Sequence, residues 1–121
     1  MTDNSDSFDG KIAIVTGAGG HLGGTVSEVF LSHGMTVVGA DLTVDSEELV
    51  ADDERDGLHW MYMDGADPRS VESVVDRVED ALGPVSFYVN CAGGFRWTLM
   101  GDASDEALDF LIDANLKSAL Y

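Results

Sequence analysis

One short stretch, Thr16-Gly17-Ala18-Gly19-Gly20-His21-Leu22-Gly23, constrains this chain more than any other. It follows a compact apolar run at residues 11–16 (KIAIVT) and precedes a segment where Leu22, Val26, Val29, Phe30 and His33 recur at helical spacing, with Gly34 as a stop. An unbroken, partly β-branched run predicts a strand buried on both faces. The glycines therefore fall at a strand-to-helix turn. Glycine suits that place for three reasons: the chain turns sharply, the backbone can approach a pyrophosphate, and the helix can pack close to the strand. The helix N-terminus then offers unpaired N–H groups and a partial positive charge. On this reading Gly17, Gly20 and Gly23, with His21 and Leu22 at the helix start, contact a diphosphate. A tight turn that holds no ligand is the alternative the stretch alone leaves open.

The rest of the chain repeats the strand-then-helix rhythm. Residues 36–40 (TVVGA) predict a second strand ending at Asp41, and residues 58–63 (LHWMYM) a third ending at Asp64. Between them residues 42–57 predict a short acidic helix. Asp67 and Pro68 open a further helix, the first as cap and the second at the first helical position. Val71, Val74, Val75, Val78 and Leu82 form its apolar stripe, and Gly83-Pro84 ends it. Residues 85–89 (VSFYV) predict a fourth strand followed by Asn90-Cys91-Ala92-Gly93-Gly94. Ser104 caps a last helix whose apolar face holds Leu108, Leu111, Ile112 and Ala119. Alternation of this kind predicts an α/β fold: a Rossmann-type three-layer αβα arrangement on a parallel sheet of strand order 3-2-1-4, incomplete relative to a full doubly wound sheet. Residues 1–9 are read as a loose acidic tail and residues 10–121 as one nucleotide-binding domain.

Several residues sit where such a fold binds ligands, at the carboxyl edge of its sheet. Asp41, about twenty residues after the glycines, can accept hydrogen bonds from an adenosine ribose, and its charge would repel a 2′-phosphate. This predicts NAD in preference to NADP, although one more surface aspartate in an aspartate-rich chain is the competing reading. Asp64 can accept from an adenine amino group or simply cap a loop. Leu42 and Gly65, directly after these acids, are assigned to the same site. Asn90, Ala92 and Gly93 let a cofactor lie flat against the backbone. Asn115 falls on the buried side of the last helix, where an amide without partners costs about 1–3 kcal/mol. It is either a satisfied structural amide or part of a site.

Taken together, these features resemble the short-chain dehydrogenase/reductase family across residues 11–121. TGAGGHLG is similar to that family's glycine motif, Asp64 to its adenine-site acid, NCAG to its Asn-Asn-Ala-Gly segment, and DANLKSALY to the helix bearing its active-site Asn, here Asn115. There are departures. The shorter branch of the family usually has glycine where His21 stands, and the spacing of Gly17, Gly20 and Gly23 is that of the extended branch. Cys91 replaces the second Asn and is read as a small buried residue, not a nucleophile. The resemblance implies an oxidoreductase that interconverts alcohols and carbonyls by hydride transfer with a nicotinamide cofactor. It implies a tyrosine acid/base with a lysine four residues later, an orienting serine, a water-linked proton relay through Asn115, and a homo-oligomer for a complete protein. The tyrosines here are Tyr62, Tyr88 and Tyr121, and no Tyr-x-x-x-Lys pair occurs in the chain. The expectation is a truncated dinucleotide-binding portion, catalytically inert as it stands.

Charge narrows the partners further. Six Lys+Arg against 23 Asp+Glu give a formal net charge of −17. A field of that sign repels phosphate backbones and anionic lipid, which argues against nucleic-acid and membrane partners; the small-molecule alcohol or carbonyl substrate is what the family resemblance implies for a complete protein. It also suits a high-salt medium, where screening relieves self-repulsion. The single cysteine rules out an internal disulfide and a cysteine zinc cluster, and His21, His33 and His59 are too scattered to suggest a metal. No signal peptide is recognisable, so a cytoplasmic setting is the default. Two other functions stay open. One is a non-catalytic NAD-binding or regulatory module. The other is an S-adenosylmethionine methyltransferase, for which an acid would be expected where Thr16 stands.

Overall fold

Unbroken apolar runs become the middle of a sheet because both of their faces are covered. The structure, a computed structural model, describes residues 7–93 together with Asp105, Glu106, Asp109 and Ile112. Strand β1 (Ile12–Thr16) is buried at every position, and β2 (Thr36–Asp41) at its four central ones. β2 lies parallel to β1, with Ile12 opposite Thr36 and Thr16 opposite Ala40. Helix α1 (His21–Ser32) connects them. A short strand β3 (Val50–Ala51) precedes β4 (Leu58–Tyr62), which lies parallel to β2. Helix α2 (Pro68–Leu82) leads to β5 (Val85–Asn90), parallel to β1 on its other side. The sheet order is β3-β4-β2-β1-β5. The four longer strands thus stand in the predicted 3-2-1-4 order.

Two apolar cores lie on opposite faces of the sheet. Val71, Val74 and Val78 of α2 pack on Ile12, Ile14, Val38, Ala40 and Met61. Each such valine contributes about 1.5–3 kcal/mol over an exposed one. The Asp67 carboxylate accepts the Arg69 N–H at the helix start, and Pro68 takes the first turn, as their order in the sequence predicts. On the other face Val26, Phe30 and Leu31 of α1 pack against Val15, Ala18, Val37 and Leu58. Here the predicted stripe is corrected. Leu22 is 66% exposed and Val29 49%, whereas Gly23 and Ser27 are buried. At its first turns the helix sets Gly23 and Ser27 toward the sheet, because at Gly23 the approach to the Gly17 carbonyl leaves no room for a side chain, while Val26 and Phe30 of the predicted stripe do pack on the sheet.

The expected helix over residues 42–57 is absent, and β3 runs antiparallel to β4 in its place. Local side chains explain the change. The Ser46 hydroxyl donates to the Glu48 carbonyl and accepts the Glu48 N–H, and Asp52 Oδ1 accepts the N–H groups of Glu54 and Arg55. Such bonds give the backbone partners that compete with a helical ladder. Of the predicted tail, Ser7, Phe8 and Asp9 are described, and Phe8 rests against His33 and Phe87 with ring centroids 6.2 and 5.7 Å away. Most of the predicted last helix, including its cap Ser104, lies outside the described residues. Asp105, Glu106 and Asp109 are helical, and Ile112, expected on the apolar face, is exposed.

Trp60 packs beside Gly39, and its indole N–H donates to Asp52 Oδ2 at 2.8 Å. That bond holds the Asp52 carboxyl below its ordinary 3.8, aided by the Glu54 and Arg55 amides. A depressed folded-state pKa gives a contribution present above the unfolded value and lost as pH falls through the folded one. In a Trp97→Phe background, Trp60 emission is expected to change with a midpoint below 3.8. Asp52→Asn should abolish the transition, and a midpoint at or above the ordinary value would contradict the bond.

Candidate functional site

Because β1, β2, β4 and β5 are parallel, their carboxyl ends share one edge of the sheet, and three loops meet there. The Gly17 N–H donates to the Ala40 carbonyl at 2.9 Å, and the Cys91 N–H to the Thr16 carbonyl at 3.2 Å. Thr16, 1% exposed, uses its hydroxyl twice: it donates to Asn90 Oδ1 at 2.6 Å and accepts the Ala92 N–H at 3.2 Å. Gly17 has φ +65°, and a Cβ there would stand 2.7 Å from the Cys91 carbonyl oxygen and 2.8 Å from the Ala92 Cα. A Cβ on Gly23 would run into the Gly17 carbonyl. The turn, the start of α1 and the loop after β5 are thus in backbone contact, and side chains at these two glycines would push them apart.

The N-terminus of α1 is open. Gly20 caps it without a side-chain bond, and its first turn holds no acidic residue. The helical ladder begins with the Gly24 N–H on the Gly20 carbonyl. Among the described residues the N–H groups of His21, Leu22 and Gly23 meet no backbone acceptor. In a chain of net charge −17, an uncapped helix start with no acid in its first turn is a place prepared for an anion. His21 and Leu22 are exposed beside it.

Asp41 stands next to the turn. Its Oδ2 accepts the Gly19 N–H at 2.8 Å, and its Oδ1 accepts both the N–H and the hydroxyl of Thr43 at 2.9 Å. With two donors on Oδ1 and one on Oδ2, Oδ2 keeps an acceptor position without a donor among these bonds. Leu42 is 62% exposed beside it. Asp64 is half-buried; its Oδ1 accepts the Ala66 N–H at 3.0 Å while its own N–H donates to Ser70. It lies in a polar cleft with Tyr62, Arg69 and Arg77, and Gly65 forms the turn after it. Asn90 is exposed at the end of β5, followed by half-buried Ala92 and exposed Gly93. Burial pushes the Cys91 thiol up, away from the thiolate. Asn115 lies outside the described residues, as do Phe95 and Trp97.

Of the residues assigned from the sequence, the structure brings Gly17, Gly20, His21, Leu22, Gly23, Asp41, Asn90 and Ala92 to one edge, with Leu42, Asp64, Gly65 and Gly93 flanking it. Three contributors are additional: Thr16, Gly19 and Thr43. The signal for Thr43 was present, since Asp-x-Thr is a spacing at which an aspartate closes a turn on the residue two places on. An open, uncapped helix start beside a carboxylate oxygen with an acceptor position left over fits a diphosphate joined to a ribose diol. Among the described residues no helix is long and apolar enough to cross a membrane.

Comparison with known proteins identifies the family of the chain. The pattern describing the short chain dehydrogenase family matches residues 11–121. An uncharacterized oxidoreductase of Staphylococcus haemolyticus is 32% identical over 115 residues, covering 94% of this chain and 50% of that protein. The 3-oxoacyl-[acyl-carrier-protein] reductase of Escherichia coli is 31% identical over 112 residues, covering 93% and 46%. A short chain dehydrogenase of Leptospira borgpetersenii, solved with bound NAD+, shares the fold with a TM-score of 0.82 at 23% identity, over 99% of this chain and 46% of that one. The chain spans about half the length of the curated relatives it matches.

Proposed function

The chain belongs to the short-chain dehydrogenase family, and on that premise we propose that it is the dinucleotide-binding part of an NAD-dependent alcohol/carbonyl oxidoreductase. The observation that carries the reading is the uncapped start of α1, free of acid in its first turn, beside the Asp41 carboxylate. The amides of His21, Leu22 and Gly23 would hold the diphosphate, Asp41 the adenosine ribose, and Asp64 with Gly65 and Leu42 the adenine. Asn90, Ala92 and Gly93 would line the path toward the nicotinamide. When bound, that cofactor supplies or takes up the hydride. Asn115 would serve a water-linked proton relay. Residues 1–121 contain no Tyr-x-x-x-Lys pair, so this chain would bind without turnover. We assign it a small-molecule substrate, a cytoplasmic setting and, for a complete protein, a homo-oligomeric state.

Asp41 gives the reading a sharp test. A 2′-phosphate placed against that carboxylate is a like-charge juxtaposition worth several kcal/mol. In titrations of this chain, NAD is expected to bind weakly but at least about tenfold more tightly than NADP. S-adenosylmethionine should not bind, because the place where an acid would hold it carries Thr16, whose hydroxyl is engaged by Asn90 and Ala92. Equal or tighter NADP binding would remove the role given to Asp41. A non-catalytic NAD-binding module, one without a Tyr-x-x-x-Lys pair, is the second reading. It predicts that the gene lacks the pair downstream as well.

A further inference from the structure

Asp41 is held from two sides before any ligand arrives, and one of its partners has no other evident task. Thr43 is exposed, lies two residues past the end of β2, and turns both its N–H and its hydroxyl onto the same oxygen, Oδ1, at 2.9 Å. The opposite oxygen, Oδ2, takes the Gly19 N–H at 2.8 Å. A Cβ on Gly19 would come within 3.0 Å of both Asp41 Oδ2 and Thr43 Oγ1, so turn, carboxylate and hydroxyl lie in mutual contact. An aspartate side chain otherwise rotates freely about its terminal torsion. Three donors on two oxygens fix the plane of this one and leave one acceptor position of Oδ2 for an incoming hydroxyl.

We propose that Thr43 is a positioning residue for cofactor choice: it locks the Asp41 carboxylate so that Oδ2 faces the ribose, and so that the charge cannot swing aside for a 2′-phosphate. The inference rests on the NAD reading above. Discrimination between two ligands needs a repulsive element as well as an attractive one. A carboxylate free to rotate would give up part of its bond to the diol and also part of its repulsion of a phosphate. Thr43 prevents both. It acts through Oδ1, the oxygen that takes both of its bonds, and not as a ligand contact.

The test uses Thr43→Val, which keeps the shape and the backbone N–H and removes the hydroxyl, and Thr43→Ser, which keeps the hydroxyl. NMR titrations of the 121-residue chain with NAD and with NADP read affinities well into the weak range. Thr43→Val should lower the ratio of NAD to NADP affinity by about threefold to tenfold, the worth of one hydrogen bond of ordinary strength. Thr43→Ser should retain the original ratio. If Thr43→Val weakens both ligands in parallel, or changes neither, the residue only supports the loop and the proposal fails. If the unmodified chain binds NAD and NADP alike, or binds neither, the failure lies in the cofactor reading and takes this inference with it.

Discussion

Gly17→Ala is expected to destabilise the chain by about 2–5 kcal/mol, while Gly20→Ala, three residues on, costs less than about 1 kcal/mol. Gly17 has φ +65° and an added Cβ would sit 2.7 Å from the Cys91 carbonyl oxygen. The left-handed backbone costs an alanine about 1–2 kcal/mol, and forcing apart two packed backbones adds about 1–3 kcal/mol. Gly20 has φ −88° and nothing closer to its Cβ than the Gly17 carbonyl oxygen at 3.4 Å. The same logic separates two neighbours inside α1. An alanine in a helix interior is normally better than glycine by about 0.5–1 kcal/mol. Gly24→Ala should show that gain, because its nearest atom is 3.7 Å away. Gly23→Ala should reverse it, because its Cβ would meet the Gly17 carbonyl. Urea denaturation at fixed salt reads all four. A Gly17→Ala midpoint close to that of the unmodified chain, or like signs for Gly23 and Gly24, would show that the turn is looser than the contacts described.

These glycines mark where sequence reasoning reached and where it stopped. The turn itself was legible, because a buried strand, a glycine cluster and a helical period cannot easily be arranged otherwise. So was the strand order, since right-handed crossovers leave few options once strands and helices alternate. What a pattern of glycines does not say is which of them packs against backbone. Gly17 and Gly23 do and Gly20 does not: Gly17 meets the loop after β5, whereas Gly23 meets the turn at Gly17 and Ala18. The face of α1 is legible only in part: the period places Val26 and Phe30 on the core as found, but it also favours Leu22 and Val29, where the structure buries Gly23 and Ser27 instead. The segment after β2 was misread because its acidic, sparsely apolar pattern fits a solvated helix, while Ser46 and Asp52 satisfied the backbone locally and left room only for the two residues of β3. Asp41 ends β2 where the sequence puts it, and its bond to Thr43 follows the Asp-x-Thr spacing, but its bond to Gly19 depends on how the glycine turn folds back and has no signal in the spacing.

Raising potassium chloride from about 0.1 M to about 1 M is expected to stabilise the fold by on the order of 5 kcal/mol, because the screening length falls from about 10 to about 3 Å. Twenty-three acids face six basic residues in this chain, and the ion pairs seen among the described residues are Arg55 with Glu28 and Arg77 with Glu48. Folding draws these charges together, so repulsion opposes the native state more than the extended one, and salt removes more of it there. Salt can also act by exclusion from newly exposed surface, which would not depend on the protein's charge. Helix α2 separates the two causes. Glu72, Asp76 and Asp80 are exposed on it at i, i+4 spacing, where like charges repel by about 0.2–0.5 kcal/mol per pair. Replacing the three by Gln, Asn and Asn should raise stability at low salt and flatten the salt dependence. If the variant keeps the same rise in urea midpoint between the two salt concentrations, screening of the acidic surface is not what salt does here, and the high-salt reading of the composition falls with it.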